Sequence, residues 1–283
     1  MRKRIFAAIA AISISCAGFA WDFPGFEWSV GADITSAYLW RGLNLGGLAI
    51  QPDVSIGYGG LKLDAWANIS PKDYKFKEIA PELDLTLSYS IVGLTVGVNH
   101  QYYFDKTKFF DWRMPTLEQY NNGDYAGNQT EVFAEFNLGD ILEDVPFHIG
   151  WYTYVAGDDY AEQYAEDGET VIGIKRAYSS YFDVSYDFGL PLGFSITPTV
   201  GMSPWKGMYN YYEEGFSVNN ISLKLNWEFE GGDHFALDVY AIGAVNTAGI
   251  NKENVWRNFY NTSTGDWNTQ RLHFAIGLGV WFF

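Results

Sequence analysis

The feature that most limits what this chain can become is a period of two that recurs almost from end to end. In "LKLDAWANI", Leu61, Leu63, Ala65, Ala67 and Ile69 fall on one face, and Lys62, Asp64, Trp66 and Asn68 on the other. "ELDLTLSY" sets Glu82, Asp84, Thr86 and Ser88 against Leu83, Leu85, Leu87 and Tyr89. "ISLKLNWEFE" repeats the pattern from Ile221 to Glu230. Strict alternation sorts side chains to the two faces of a strand and cannot describe a helix face. Twelve such segments are predicted, at 27–42, 50–59, 60–69, 79–91, 93–104, 129–139, 146–157, 176–189, 193–203, 217–230, 234–248 and 270–283.

The connections between them alternate in length. Gly59-Gly60, Val92-Gly93, "DILEDVP", "LPLG" and "GGDH" are short or compact. "PKDYKFKE", "KTKFFDWRMPTLEQYNNGDYAGN", "DDYAEQYAEDGETVIGIK", "PWKGMYNYYEEGF" and "GINKENVWRNFYNTSTGDWNT" are long, polar and aromatic. Short turns at one end and long loops at the other predict an all-β fold, a transmembrane antiparallel up-and-down barrel of about 12 strands. The short turns would be periplasmic and the long loops extracellular. Apolar-register aromatics form two expected girdles: Trp28, Tyr58, Tyr89, Trp227 and Phe282 near the short turns, and Tyr38, Trp40 and Tyr102 near the long loops. Three features fit less well. Pro198 interrupts a strand and predicts a bulge. "VPFHIGWYTYV" is aromatic on both faces. Trp281 and Phe283 take the inward register, which suggests a bulged end.

The beginning of the chain, "MRKRIFAAIAAISISCAGFA", has a basic start, a short apolar stretch and small residues at Gly18 and Ala20. It reads as a signal peptide over residues 1–20, leaving 21–283 as the barrel. Cys16, the one cysteine in the sequence, lies in this leader; a lipoprotein cut before it is the rival reading. Without Arg2, Lys3 and Arg4, 15 basic residues face 34 acidic ones, a net charge of −19. Such a chain repels nucleic acid. Its expected partners are the lipid bilayer of a Gram-negative outer membrane, small solutes, and the barrel-assembly machinery that would recognise a terminal strand ending in Phe283.

An arginine on the lipid face is costly, so Arg41, in "TSAYLWRGLNLGG", should face the lumen near its outer mouth. There it is either a pore constriction residue or a structural arginine neutralised by Asp33 or Asp53. Read the same way, the inward register gives Asp33, Arg41, Asp53, Lys62, Asp64, Glu82, Asp84, Glu131, Glu135, Asp183, Asp187, Lys224, Glu228, Asp238 and Arg271. Eleven acids face four bases in that set.

Residues 30–69 resemble the opening of the Gcw_chp outer-membrane porin family, through a Ser-x-Tyr-x-x-Arg-Gly motif (Ser36, Tyr38, Arg41, Gly42), a proline in the second strand (Pro52) and a Trp-x-small pattern (Trp66, Asn68). The match departs at Trp40, where another aromatic is usual, and in its long middle loops. The resemblance implies an outer-membrane barrel more than any mechanism.

Passive diffusion of small cationic or neutral solutes is the function these readings favour. Neither a cofactor nor a catalytic residue is expected. The alternatives are a non-conducting barrel used for adhesion or assembly, a lipid-modifying barrel enzyme, or a soluble sugar binder built on the aromatic residues. No Gly-x-Ser-x-Gly occurs, and His100 is the one histidine near the lipid register. His100, His148, His234 and His273 lie on separate segments without zinc spacing. The acidic loop "DDYAEQYAEDGE" (158–169) either binds a divalent cation or is simply a solvated loop.

Overall fold

The computed structural model describes residues 25–71, 79–104, 108–124, 127–142, 145–210, 212, 215–232, 234–247, 260–261, 266–267 and 272–283. The leader, Cys16 and Arg271 therefore lie outside the described residues. Twelve long strands run in chain order: β1 (Phe26–Thr35), β2 (Ala49–Tyr58), β3 (Leu61–Pro71), β4 (Ile79–Ile91), β5 (Leu94–Tyr103), β6 (Asn128–Asn137), β7 (Phe147–Gly157), β8 (Ser180–Tyr186), β9 (Phe194–Ser203), β10 (Ser217–Glu230), β11 (Phe235–Val245) and β12 (Leu272–Phe282). Each pairs antiparallel with its sequence neighbours, and β12 pairs with β1, so the sheet closes on itself. Closure leaves no sheet edge with unpaired backbone groups.

The alternation decides which side chain points where. Ile34, Ile50, Ile56, Leu63, Leu87, Val96, Val132, Leu223, Leu225, Ile276 and Leu278 are exposed on the outer face. The barrel thus turns its aliphatic side chains outward and its polar ones inward. The tight connections Gly59-Gly60 (φ 58° and 88°) and Val92-Gly93 (φ 47° and 78°) have positive φ at both central residues. That geometry matches the twist of the flanking strands.

Two expected irregularities resolve differently. Pro198 produces no bulge: it stays in register with Leu223, and the register shift falls at Gly201/Met202. The β8–β9 ladder instead lapses at Pro198, which has no N–H to donate. It resumes in unchanged register at Phe188 and Gly189, and the Thr197 hydroxyl donates to Asp187 across the gap at 2.9 Å. The β12 end is not bulged either; its ladders to β1 and β11 run without a shift. Trp281 faces inward because Gly31 opposite makes room: a Cβ there would lie 2.3 Å from the indole. The indole Nε1 donates to Asp238 at 3.0 Å.

The largest departure is at the first strand. It was expected to run to residue 42 but ends at Thr35, where Ser36 forms its last hydrogen bonds to Ile276. The chain then turns inward as a small hairpin, Tyr38–Trp40 paired with Leu43–Gly46.

Candidate functional site

The hairpin of residues 38–46 organises the lumen. At its tip are Arg41 (φ 49°) and Gly42 (φ 80°), a two-residue turn of the kind seen at Gly59-Gly60. Arginine is a poor residue for a left-handed position, at a cost of about 1–2 kcal/mol. What holds it there is on the far wall. Arg41 Nη1 donates to Glu131 Oε2 at 2.5 Å and Nη2 to Glu131 Oε1 at 2.8 Å, a two-pronged pair. Nη1 also donates to the Tyr209 hydroxyl at 2.5 Å. The guanidinium carbon sits 3.8 Å from the Tyr152 ring centre and 4.6 Å from that of Trp40. The side chains of Arg41 and Glu131 are 12 % and 2 % exposed.

Burying two charges is favourable only when geometry and extra hydrogen bonds compensate their lost hydration; here a second donor and the aromatic faces supply that. Tyr209, from the β9–β10 connection, is fully buried, stacks on Tyr154 at 10° and touches Trp40 at 5.5 Å. The amide of Asn246 donates to the Gly42 carbonyl at 3.1 Å, and a Cβ on Gly42 would lie 2.7 Å from the Asn219 carbonyl. The hairpin therefore starts between β1 and β2 and reaches both the β6–β8 wall and β10–β11.

The partner of Arg41 is thus Glu131, not Asp33 or Asp53, because the hairpin carries the guanidinium across the lumen. Tyr38 and Trp40, expected from their register on the outer aromatic girdle, are not on it. Tyr38 is buried inside, 5.6 Å from Trp66 and hydrogen-bonded to Glu82. The difference has one cause: the alternation does not continue through Ser36-Ala37, where the chain leaves the wall. Exposed Phe110, Trp112, Trp151 and Trp205 supply outer-face aromatics towards the long-loop end.

Other acids near Glu131 also have partners. Glu135 accepts from the Tyr152 hydroxyl at 2.7 Å, and Asp183 lies 3.5 Å from His148 Nε2, although its Oδ1 makes no hydrogen bond among the described residues. The wall beneath the hairpin differs. There Trp40, Tyr38, Trp66, Asp53, Asp64 and Asp84, with Leu39 and Gln51, line a cavity of about 370 Å³. Asp84 Oδ2 accepts from Asn99 at 3.0 Å, while its Oδ1 is buried with no partner among the described residues. Lys62, its side chain 53 % exposed, reaches Asp64 at 3.6 Å. Asp33 and Asp238 both overlie Gly279, whose Cβ would meet their Oδ1 atoms at 2.4 and 2.3 Å. Lys224 lies 4.9 Å over Tyr240. Asp187 and Glu228 are exposed towards the short-turn end.

In the buried cluster around Arg41, Tyr152, Tyr154 and Tyr181 carry no separate expectation from sequence, whereas Tyr209, which reads from sequence as a long-loop aromatic open to a surface ligand, is fully buried. The signal is present in "VPFHIGWYTYV", where aromatic residues on both faces include two inward tyrosines, Tyr152 packed on the guanidinium and Tyr154 stacked on Tyr209.

His100 points outward and is buried, between Thr130 (Nδ1 to Oγ1, 2.9 Å) and the Phe109 carbonyl (Nε2, 2.7 Å). A carbonyl only accepts, so Nε2 carries a proton, and the ring pins residues 109–112 to the wall. Asp159, in the acidic loop, is not solvated: it is 1 % exposed and accepts from Ser179 N at 3.0 Å and Ser179 Oγ at 2.5 Å. Burial raises its carboxyl pKa, and the Ser179 bonds oppose that shift. Among the described residues no three His, Cys, Asp or Glu side chains converge to hold a metal ion.

No protein-family model matches the chain, and no curated protein matches it by sequence. The Gcw_chp resemblance thus rests on its motif residues alone. Among solved structures the chain is similar to an outer membrane channel from Pseudomonas putida F1 (8 % identity, TM-score 0.41, 92 % of this chain and 97 % of that one). It is also similar to the CymD monoaromatic hydrocarbon channel (9 %, 0.39, 97 % and 91 %). A third is the Salmonella typhi outer membrane phospholipase (10 %, 0.36, 96 % and 97 %). Likeness at this level does not assign the chain to any of these groups. The barrel is established by its own strand pairing.

Proposed function

We propose that the chain is an outer-membrane barrel working as a narrow porin-like channel for passive diffusion of small solutes, cationic or neutral ahead of anionic. The observation that carries this reading is the division of charge in the lumen. Arg41 is held by Glu131 and does not offset the remaining carboxylates. Among the described residues, Asp33, Asp53, Asp64, Glu82, Asp84 and Asp238 then face two ammonium groups, Lys62 and Lys224. Low-dielectric walls strengthen a confined field of one sign.

The exposed aliphatic band supports a bilayer setting, since a soluble particle would not leave so continuous an apolar surface in water. In this reading residues 1–20 direct export, Phe283 is the assembly signal, and the long loops face outward. Orientation is tested with cysteines. One at Glu166 should react with a bulky thiol reagent on intact cells, and one at Asp140 should not; both positions are exposed. Reversed labelling would mean the barrel is inserted the other way.

A second reading is favoured by the hairpin itself. With Tyr209 it fills part of the lumen, as a plug would, which suits a non-conducting barrel used for adhesion or assembly. Single-channel recording on purified, heat-modifiable protein separates the two. Discrete openings of the native protein support the channel, and silence despite verified insertion supports the plug.

A further inference from the structure

The cavity beneath the hairpin has walls of two kinds. Carboxylates of Asp53, Asp64 and Asp84 come from three successive strands, β2 to β4, and the rings of Tyr38, Trp40 and Trp66 stand beside them. We propose that this cavity is a binding site for a small organic ammonium ion.

Three features of the chemistry point there. First, among the described residues the cavity's three carboxylates have one counter-ion, Lys62. Arg41 turns away to Glu131, and Lys62 touches Asp64 from a largely exposed position. Among the described residues, Asp84 keeps one oxygen buried without a hydrogen bond. A cation entering the cavity meets three carboxylates that, among the described residues, a single lysine offsets. Second, the aromatic faces select the kind of cation. Tyr38 and Trp66 form a corner, with ring centres 5.6 Å apart and planes at 50°. Indole and phenol faces attract alkylammonium groups through their quadrupoles, most strongly when the site is desolvated. A bare metal ion instead needs several oxygens converging at bonding distance, and no such cluster of acids exists among the described residues. Third, about 370 Å³ lies at the lower end of the range for small-molecule sites. A neutral aromatic compound would suit the rings but would draw water from part-buried carboxylates without replacing it.

The site deepens the channel reading, on which its role in transport rests, but binding is measured apart from conduction. The experiment is calorimetric titration of the full-length, detergent-solubilised barrel with benzyltrimethylammonium chloride, at constant ionic strength, with benzyl alcohol and calcium chloride as competitors. The expected result is saturable binding of one ion per barrel that neither competitor displaces. Asp53→Asn with Asp84→Asn should weaken it by about tenfold or more, or 1.4 kcal/mol. Trp66→Leu should weaken it several-fold while the barrel still shifts on unheated gels. No saturable binding to the folded native barrel would overturn the proposal. So would affinity unchanged in both variants, displacement by calcium, or equal binding of benzyl alcohol. Binding without conductance would leave this site standing and remove the transport reading; cation-selective conductance without binding would overturn the site and spare that reading.

Discussion

The two sides of the lumen are built from the same residue types, and they differ in that one holds a carboxylate against a buried arginine and the other does not. On the β6–β8 side, Glu131 meets Arg41, Glu135 meets the Tyr152 hydroxyl and Asp183 meets His148. On the β2–β4 side, Asp53, Asp64 and Asp84 surround open volume. The difference comes from one structural decision. The chain leaves the barrel wall after Thr35, and the hairpin carries the arginine across the lumen. One side gains a bound cation and becomes a packed polar core. The other is left acidic and cavity-forming. Polar networks stabilise as their members are satisfied; an acidic wall with three carboxylates to one largely exposed lysine suits a ligand or passing ions better than a core.

The largest effect should come from breaking the satisfied side. Arg41→Ala leaves Glu131 charged and buried, and Glu131→Gln does the same to Arg41. Each should lower stability by about 3–5 kcal/mol, measured as the urea midpoint of folding into lipid vesicles. Their combination should recover part of that loss, because neither partner is then left charged and alone. Asp84→Asn on the other side should change stability by less than about 1 kcal/mol or raise it, since no cation loses its partner. Equal losses from Glu131→Gln and Asp84→Asn would erase the distinction between the two sides. A smaller effect, about 1–3 kcal/mol, is expected from Arg41→Lys, which keeps the charge but loses the planar two-pronged contact.

How far the sequence revealed this arrangement follows from the range of the interactions. Strand positions were legible because alternation and turn chemistry act over neighbouring residues. The β2–β4 acids belonged to the inward register for the same reason. The Arg41–Glu131 pair was not legible, since it joins residues 90 apart and depends on how far a hairpin reaches. The true positions of Tyr38 and Trp40 are not legible because periodicity carries no information past the bend at Ser36-Ala37. Arg41-Gly42 is also a weak turn signal beside the Asn-Gly or Gly-Gly that such hairpins favour. Only the partner on the far wall explains why an arginine sits there.

Function sharpens the comparison with a smaller effect. Asp64→Asn with Glu82→Gln should lower the preference for potassium over chloride, whereas Glu135→Gln, on the satisfied side, should leave it nearly unchanged. The preference of the native protein should fall as salt is raised, because screening shortens to about 3 Å at 1 M.

The most direct test of the central claim, that the lumen's unpaired acids outweigh an arginine held by Glu131, is the reversal potential of the native protein in a planar bilayer under a potassium chloride gradient. The account predicts a potential displaced towards that of potassium, recorded from discrete single-channel openings. A potential displaced towards that of chloride would contradict it.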